Sequence, residues 1–208
     1  MTLPSPEARS ATTRVTRTFA FIDLCDFTDY TDAHGDDAAV AELLTLRASV
    51  RAAAPLFGVR VDKWLGDGVM LVGVESSPVV AAVMAICQRH ADTGELPMRA
   101  GIATGPVILL EGDDYVGHAV NTAARLCDRA DAGHVLAATA GLELPEWVDE
   151  HEAESITLRG LADPVELVTL SADGAGAHPS FLAPASTILS VVDELLVRPL
   201  RSRRPKRG

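Results

Sequence analysis

A β-hairpin pattern in the first half of the chain limits most strongly what the chain can fold into. Residues 59–63 alternate apolar and polar side chains, residues 69–74 are apolar, and Gly66-Asp67-Gly68 lies between the two runs. This arrangement predicts two antiparallel strands joined by a tight turn. An apolar run at 18–24 predicts a buried strand upstream of the hairpin. The hairpin and this strand therefore predict a sheet.

Helix and strand patterns around the hairpin complete a β-α-β-β-α-β order, which embeds a ferredoxin-like core in an α+β fold, extended at its C-terminal side. In that topology the first strand lies beside the hairpin. We therefore expect Asp23, at the end of the first strand, to face Asp67 at the hairpin tip. Helices are predicted at about 36–54, 78–90 and 116–130, and further strands at 98–104, 106–110 (on either side of Gly105), 134–137, 155–158 and 165–170.

Composition divides the chain into four segments. Residues 1–17 are rich in Ser, Thr, Pro and Arg without an apolar stretch, which indicates a flexible segment and no signal peptide. Residues 18–170 hold the predicted strands and helices and form the predicted domain. Residues 171–186 are rich in Gly, Ala, Pro and Ser and predict a linker. Residues 187–208 predict a short amphipathic helix and a basic tail.

Charge is distributed unevenly along the chain. The net charge is −11, but the last eleven residues contain six Arg or Lys and no acid, so the rest of the chain carries −17. A domain with this much negative charge binds nucleic acid poorly, and we expect no nucleic-acid partner. The basic tail is a candidate for contact with an anionic surface, although such tails are more commonly solvated ends. Three widely spaced cysteines and the lack of a membrane-length apolar run favour a cytoplasmic protein with reduced thiols.

Two carboxylates at neighbouring strand ends are the first candidates for chemistry. Like charges placed together are costly without a cation, and Mg²⁺ is typically held by one or two carboxylates plus substrate phosphates. Asp23 and Asp67 are therefore candidate metal ligands. Each has an ordinary alternative when taken alone, because Asp23 could make a local hydrogen bond and Asp67 could be a simple turn residue.

Four further polar residues belong to the same candidate set. Asn121 and Arg125 are four positions apart on a predicted helix and hence share one face. Lys63 and Asp114 present an ammonium and a carboxylate, which suit the N1 acceptor and N6 donor of adenine. Taken singly, these residues are a solvated strand lysine, a loop acid and two polar residues of a helix surface.

The six residues, in this order and spacing, resemble the catalytic set of the class III nucleotide cyclases, which convert ATP or GTP to the 3′,5′-cyclic monophosphate and pyrophosphate. Phe-x-Asp-Leu-x-x-Phe-Thr at 21–28 is similar to the first metal motif of the family, and Lys-x-x-Gly-Asp-Gly at 63–68 is similar to the second. The segment 114–125 resembles the region that contacts the base, the ribose and the α-phosphate. The resemblance covers about residues 18–170.

The resemblance implies a role for each residue. Two Mg²⁺ or Mn²⁺ ions per site are expected on Asp23, Asp67 and the carbonyl of Leu24. Lys63 and Asp114 are expected to contact the base, and guanylyl cyclases usually have Glu and Cys there, so the resemblance implies ATP as substrate. The triphosphate is expected at the backbone amides near Phe27 and Thr28 and at the side chain of Arg99, the ribose at Asn121, and the α-phosphate charge at Arg125.

The resemblance also implies a homodimer with shared sites. In the family, the metal aspartates come from one chain, whereas the residues for the base, ribose and α-phosphate come from the other. The expectation is thus an adenylyl cyclase, a lyase of signal transduction that works as a homodimer.

Three alternatives stay open on the sequence. The first is a guanylyl cyclase or a cyclase of relaxed purine preference. The second is a catalytically silent nucleotide-binding module that regulates a partner, and its support is Asp26, which stands where the family commonly has Gly. The third is a peripheral membrane or nucleic-acid adaptor that works through the basic tail, which would leave the six-residue set without a role.

Overall fold

The computed structural model of the chain describes residues 13–110, 114–160 and 163–172. The chain divides into two units, Met1–Ala177 and His178–Gly208, and all described residues belong to the first. The predicted linker beyond residue 172, the predicted amphipathic helix and the basic tail lie outside the described residues.

The strands are β1 (Thr13–Leu24), β2 (Arg60–Leu65), β3 (Gly68–Gly73), β4 (Met98–Leu109), β5 (Tyr115–Val116), β6 (Val135–Ala138), β7 (Val148–Ile156) and β8 (Val165–Ala172). The helices are α1 (Phe27–His34), α2 (Asp36–Ala53), α3 (Ser76–Ala91) and α4 (His118–Arg129), and a short 3₁₀ helix, Ala54–Phe57, follows α2. No helix in these described parts of the chain is long and apolar enough to cross a membrane.

The strands form one sheet in the order β2-β3-β1-β4-β6-β8-β7, with β5 paired to β4. Neighbours among β2, β3, β1 and β4 are antiparallel, which is the strand order of a ferredoxin-like core. Strand β6 joins β4 in parallel, and β8 and β7 follow it at the far edge. The expected α+β fold with a C-terminal extension is confirmed.

The sheet is covered on both faces, and alternate residues of β1 serve the two cores. Ala20 and Ile22 belong to a cluster with buried residues of α2 and α3, whereas Phe19 belongs to a second cluster with α4. Successive side chains of a strand point to opposite faces. Asp23 has the parity of Phe19 and therefore lies on the α4 face of the sheet.

Gly101 allows α4 to pack directly against β4. A Cβ at this position would lie 2.2 Å from the backbone nitrogen of Cys127 and 2.3 Å from the carbonyl oxygen of Ala123. No side chain fits in that space, so the backbone of α4 touches the sheet. The contact fixes where the second half of α4 lies relative to the end of β1.

The N-terminal boundary of the domain differs from the prediction. Strand β1 begins at Thr13, and residues 13–17 pair with Leu109–Gly105 of β4, so these five residues belong to the sheet and not to a flexible segment. Strand β4 is also one continuous strand and not two strands around Gly105. The Gly-Pro pair at 105–106 is typical of a turn, but here long-range pairing with β1 keeps the backbone extended.

Three other elements depart from the predictions. Helix α1 was not predicted; none of its eight residues is buried, so it lacks an apolar stripe. Strand β7 spans Val148–Ile156 instead of 155–158, and its side chains are largely exposed and charged, as is common for an edge strand. Strand β8 continues to Ala172, so residues 171 and 172 are strand and not linker.

Candidate active site

Asp23 and Asp67 lie at adjacent strand ends, as the topology predicted. Asp23 pairs with Gly68 across β1 and β3, and the N–H of Leu24 donates to the carbonyl of Asp67 at 3.3 Å. Partial burial raises the pKa of the Asp67 carboxyl, and the nearby charge of Asp23 adds to this rise. A cation between the two carboxylates would relieve both effects.

This donor set fits a hard divalent cation such as Mg²⁺ or Mn²⁺. Within the described residues, no three His, Cys, Asp or Glu side chains form a group that could hold a metal ion. Two carboxylates would therefore need further oxygen ligands from the backbone, from water and from substrate phosphates. Leu24 is the last residue of β1, and its side chain is a buried hydrocarbon. Its backbone carbonyl is therefore the only group with which it could bind a metal ion.

Arg99 lies on the other side of Asp23, as its partner across β1 and β4. Its Nε and Nη2 atoms donate to Oδ2 of Asp23 at 3.2 Å and 2.8 Å, and this hydrogen bonding raises the pKa of Arg99. Its Nη1 donates to the carbonyl of Asp128 on α4 at 3.4 Å. The arginine that the resemblance assigns to phosphate binding thus contacts a candidate metal ligand.

Asp26 connects β1 to α1 in a left-handed conformation, with φ 56° and ψ 26°. Glycine adopts this conformation most easily, and Asp and Asn adopt it more easily than other residues. Phe27 and Thr28 form the first turn of α1, where backbone N–H groups lack partners within the helix and favour anions. The carboxylate of Asp26 is exposed and makes no hydrogen bond to the helix start.

Lys63 and Asp114, 51 positions apart, are joined by a hydrogen-bonded ion pair between Nζ and Oδ1. This bond raises the pKa of Lys63. A bulge between Val61 and Lys63 shifts the register of β2, so that Lys63 lies opposite Met70, which packs in the core on the α4 face. Bulges commonly redirect a side chain in this way. The bulge therefore places Lys63 on the face where Asp114 lies.

The segment that carries Asp114 is held over the same face of the sheet. The N–H of Leu110 donates to the carbonyl of Asp114 at 2.8 Å. The ring of Tyr115 packs edge-on against Phe19 with centroids 5.2 Å apart, and Nη2 of Arg60 donates to its hydroxyl at 3.1 Å. These contacts, together with the ion pair, hold Asp114 beside Lys63.

Asn121 and Arg125 are exposed one helical turn apart on α4, as predicted. Nη1 of Arg125 donates to Oδ2 of Asp128 at 2.9 Å. In the described part of the chain, no hydrogen bond or ion pair joins the side chain of Arg125 to the aspartate pair or to Lys63 and Asp114. Asp128 was not among the candidate residues predicted from the sequence. Its position three residues after Arg125 on a predicted helix is a spacing that favours an ion pair.

One chain therefore presents three separate groups on one side of its sheet. Asp23 and Asp67 lie with Arg99, Lys63 lies with Asp114, and Asn121 and Arg125 lie on α4. Among the described residues, Asp128 contacts two of these groups, because its carboxylate accepts from Arg125 and its carbonyl accepts from Arg99.

Comparison by sequence gives relatives that are longer than this chain. No protein-family model matches the chain. The uncharacterized proteins Rv2212 of Mycobacterium tuberculosis and Mb2235 of Mycobacterium bovis are each 40% identical over 156 residues, which cover 73% of this chain and 40% of the relative. The chain thus spans about two fifths of the length of these relatives.

Comparison by structure gives nucleotide cyclase domains. The adenylyl cyclase CyaB from P. aeruginosa matches with a TM-score of 0.68 and 24% identity over 78% of this chain and 96% of that one. The guanylyl cyclase Cya2 matches with a TM-score of 0.66 and 20% identity over 80% and 97%. Adenylate cyclases from Trypanosoma brucei match with a TM-score of 0.67 and 21% identity over 77% and 89%. The chain therefore has the fold of class III adenylyl and guanylyl cyclase catalytic domains.

Proposed function

We propose that the chain is an adenylyl cyclase that converts ATP to 3′,5′-cyclic AMP and pyrophosphate. The observation that carries the proposal is the contact between Lys63 and Asp114. It presents an ammonium donor and a carboxylate acceptor side by side, and adenine offers the matching N1 acceptor and N6 donor. The fold and the adjacent aspartates support a nucleotide cyclase, and this pair supports ATP as its substrate.

Asp23, Asp67 and the Leu24 carbonyl are the proposed ligands for Mg²⁺ or Mn²⁺, two ions per site. Bound there, such ions would stabilise the charge on the attacking 3′-oxygen and the leaving pyrophosphate. The protein's own part is to hold the two carboxylates together at one end of the sheet. One guanidinium, that of Arg99, offsets only one of the two negative charges, so the pair still favours a bound cation.

The remaining residues bind and orient the nucleotide in the proposed reaction. Backbone N–H groups of Phe27 and Thr28, at the start of α1, donate to phosphate oxygens, and Arg99 adds charge beside them. Asn121 orients the ribose so that its 3′-oxygen lies in line with the α-phosphorus. Arg125 stabilises the charge that develops on the α-phosphate, and one well-placed donor of this kind contributes about 3–4 kcal/mol.

The site is proposed to form between two copies of the chain. Asn121 and Arg125 are exposed on α4 and pair with neither the aspartates nor the Lys63 and Asp114 pair of their own chain. In a head-to-tail homodimer these residues would serve the aspartates of the other copy. The proposal places the dimer in the cytoplasm, which agrees with free cysteines at positions 25, 87 and 127.

A silent nucleotide-binding module is the second candidate, because the carboxylate of Asp26 lies directly before the first turn of α1. A negative charge at this position opposes the binding of phosphates. Such a module would bind ATP and form no cyclic product.

The test is product analysis by chromatography and mass spectrometry after incubation of the full chain with ATP and Mn²⁺, and then with GTP. Cyclic AMP should form, and Asp23→Ala or Asp67→Ala should abolish it because each removes a proposed metal ligand. Asp149→Ala, which removes an exposed carboxylate of β7, is the matched control and should keep wild-type activity. Near-normal turnover by either site variant would refute the metal assignment, and ATP binding without product would favour the silent module.

Base choice is tested separately by combining Lys63→Glu with Asp114→Cys. The exchange replaces the donor and the acceptor that face the base, so the ratio of kcat/KM for ATP to that for GTP should fall sharply. The ratio is its own control, since damage elsewhere in the site lowers both efficiencies. An unchanged ratio would show that these residues do not read the base.

A further inference from the structure

The side chain of Asp23 is divided between two neighbours. Its Oδ2 atom accepts both hydrogen bonds from Arg99, whereas its Oδ1 atom lies on the side of Gly68, 3.1 Å from where a Cβ of that residue would stand. Gly68 directly follows Asp67 in the hairpin. One carboxylate oxygen thus lies beside the start of β3, next in sequence to Asp67, and the other accepts both hydrogen bonds from the Arg99 guanidinium.

The pair of Arg99 and Asp23 is set by the backbone. The two residues are direct partners across β1 and β4, in a register that continues for twelve residue pairs. About 70% of each side chain is shielded from water, since Arg99 is 30% and Asp23 is 28% exposed. Two N–H donors on one carboxylate oxygen form a charge-assisted interaction that is stronger than a neutral hydrogen bond.

A guanidinium and a metal ion are alternative partners for the same oxygen. An ionised carboxylate accepts through both oxygens, and two ions bound close together would draw on both. Both hydrogen bonds from Arg99 go to Oδ2, which leaves Oδ1 and the Asp67 carboxylate as the candidate ligands of a first ion. A triphosphate offers Arg99 a competing anion.

We propose that Arg99 is an exchangeable counter-ion of Asp23, which restricts the aspartate pair to one divalent ion until a triphosphate draws the guanidinium away. Arg99 would then leave Oδ2 for phosphate oxygens, and the freed oxygen would accept the second ion. Binding of the second metal ion and of the nucleotide is thereby coupled through one side chain. This inference rests on the proposed metal site and adds the order in which the two metal ions bind there.

The experiment counts Mn²⁺ bound to the full chain by electron paramagnetic resonance, with and without α,β-methylene-ATP, whose methylene bridge blocks departure of the leaving group. Wild-type protein should bind one Mn²⁺ per chain alone and two with the analogue. Arg99→Gln should bind the second ion without the analogue, with an affinity for this ion about fivefold or more above that of the wild type.

Two variants separate the specific pair from other effects. Arg129→Gln removes an exposed arginine of α4 that pairs with Glu154, so it controls for net charge and should leave the Mn²⁺ count unchanged. Arg99→Lys keeps the charge but loses the two-donor geometry, and should give an intermediate affinity. It also tests the proposal if Arg99→Gln fails to fold, as judged by circular dichroism.

An equal Mn²⁺ count and affinity in wild type and Arg99→Gln would overturn the inference, as would an equal shift in Arg129→Gln. Absence of Mn²⁺ binding in every variant would overturn it as well. The proposed function is judged by a different measurement, the formation of cyclic nucleotide by the wild type. If the chain forms no cyclic nucleotide but its number of bound Mn²⁺ ions depends on Arg99, the proposed function is refuted and the role of Arg99 as a counter-ion of Asp23 still holds.

Discussion

At the scale of single residues, the conformation of Asp26 matters most for the candidate site. An L-residue in the left-handed region costs about 1–2 kcal/mol, and less for Asp than for most others. Asp26 adopts this conformation between β1 and the first turn of α1. It also places a carboxylate beside the proposed phosphate position. Backbone strain and charge therefore act at one residue and can be separated by substitution.

Replacing Asp26 tests both effects. Asp26→Gly should raise the free energy of unfolding by up to about 1 kcal/mol and should tighten binding of α,β-methylene-ATP, because strain and charge are both removed. Asp26→Asn should tighten nucleotide binding without a comparable gain in stability, since Asn also tolerates the left-handed region. Urea unfolding and calorimetric titration measure the two quantities. Nucleotide affinity that is unchanged in both variants would show that the carboxylate points away from the phosphates.

At the scale of elements, the approach of α4 to β4 sets the position of Arg125 and Asp128. Gly101→Ala would place a methyl group within 2.2 Å of the α4 backbone, so α4 must shift. We expect a loss of about 1–3 kcal/mol or more in the free energy of unfolding by urea, as for other overpacked positions. Gly105→Ala is the matched control on the same strand, because its Cβ would lie 3.2 Å from the Ala119 side chain. If Gly101→Ala cost no more than Gly105→Ala, α4 would not lie as close to β4 as described.

A buried polar cluster joins α2, α3 and the loop that leads into β4. Glu42 accepts hydrogen bonds from the backbone N–H groups of Glu95 at 3.0 Å and Leu96 at 3.4 Å. His90 is 1% exposed, and its Nε2 donates to the carbonyl of Leu96 at 3.0 Å. Tyr30 of α1 donates to Glu95 at 2.8 Å, so the cluster also connects this loop to α1, the helix whose first turn is the proposed phosphate position.

The buried histidine predicts a pH dependence of stability. Burial lowers the pKa of His90 below 6.5, although Glu42 and the Leu96 carbonyl partly oppose this shift. The unfolded state therefore binds a proton more readily, so the contribution of His90 to stability is present above about pH 6.5 and is lost as the pH falls through the folded-state pKa.

Urea unfolding at about pH 7.5 and about pH 5.5 tests this dependence. The wild type should lose stability toward the lower pH, and His90→Gln should lose less, because glutamine does not titrate. His134→Gln, which removes an exposed imidazole, should behave like the wild type. Equal losses in His90→Gln and wild type would contradict the assignment.

The elements that sequence predicted well are those with a strong periodic signal. The hairpin, α2, α3 and α4 carry clear apolar patterns, and the place of β1 beside the hairpin follows from their order. The polar helix α1 and the exposed strand β7 carry no such pattern, and only tertiary contacts define them. The bulge that turns Lys63 toward Asp114 has no recognisable sequence pattern either. The pairing of Lys63 with Asp114 was therefore expected from the resemblance and not from geometry.

At the scale of the whole molecule, the proposed sharing of sites predicts complementation between inactive variants. Asp67→Ala and Arg125→Ala should each be inactive as homodimers. A co-expressed mixture should form heterodimers in which one site has lost both residues and the other has lost neither. Random pairing gives about half heterodimers with one intact site each, so roughly a quarter of wild-type activity should return if the sites are independent.

The matched control pairs Asp67→Ala with Asp23→Ala. Both changes affect the aspartate group, so every site of the heterodimer has lost one ligand and activity should stay absent. Demonstrated heterodimers of Asp67→Ala and Arg125→Ala without recovery would mean that both residues serve the same site from one chain.

The long pairing of β1 has a mechanical consequence. The strand keeps one register from Thr13 to Leu24 against β4, and from Thr18 to Asp23 against β3. A slip by one residue would turn Asp23 to the face of α2 and α3 and move Ile22 out of its core. Burial of apolar side chains therefore resists sliding along the whole strand. A force applied at Thr13 would reach Asp23 as a twist or bend of the sheet, because the strand cannot be pulled lengthwise past its neighbours.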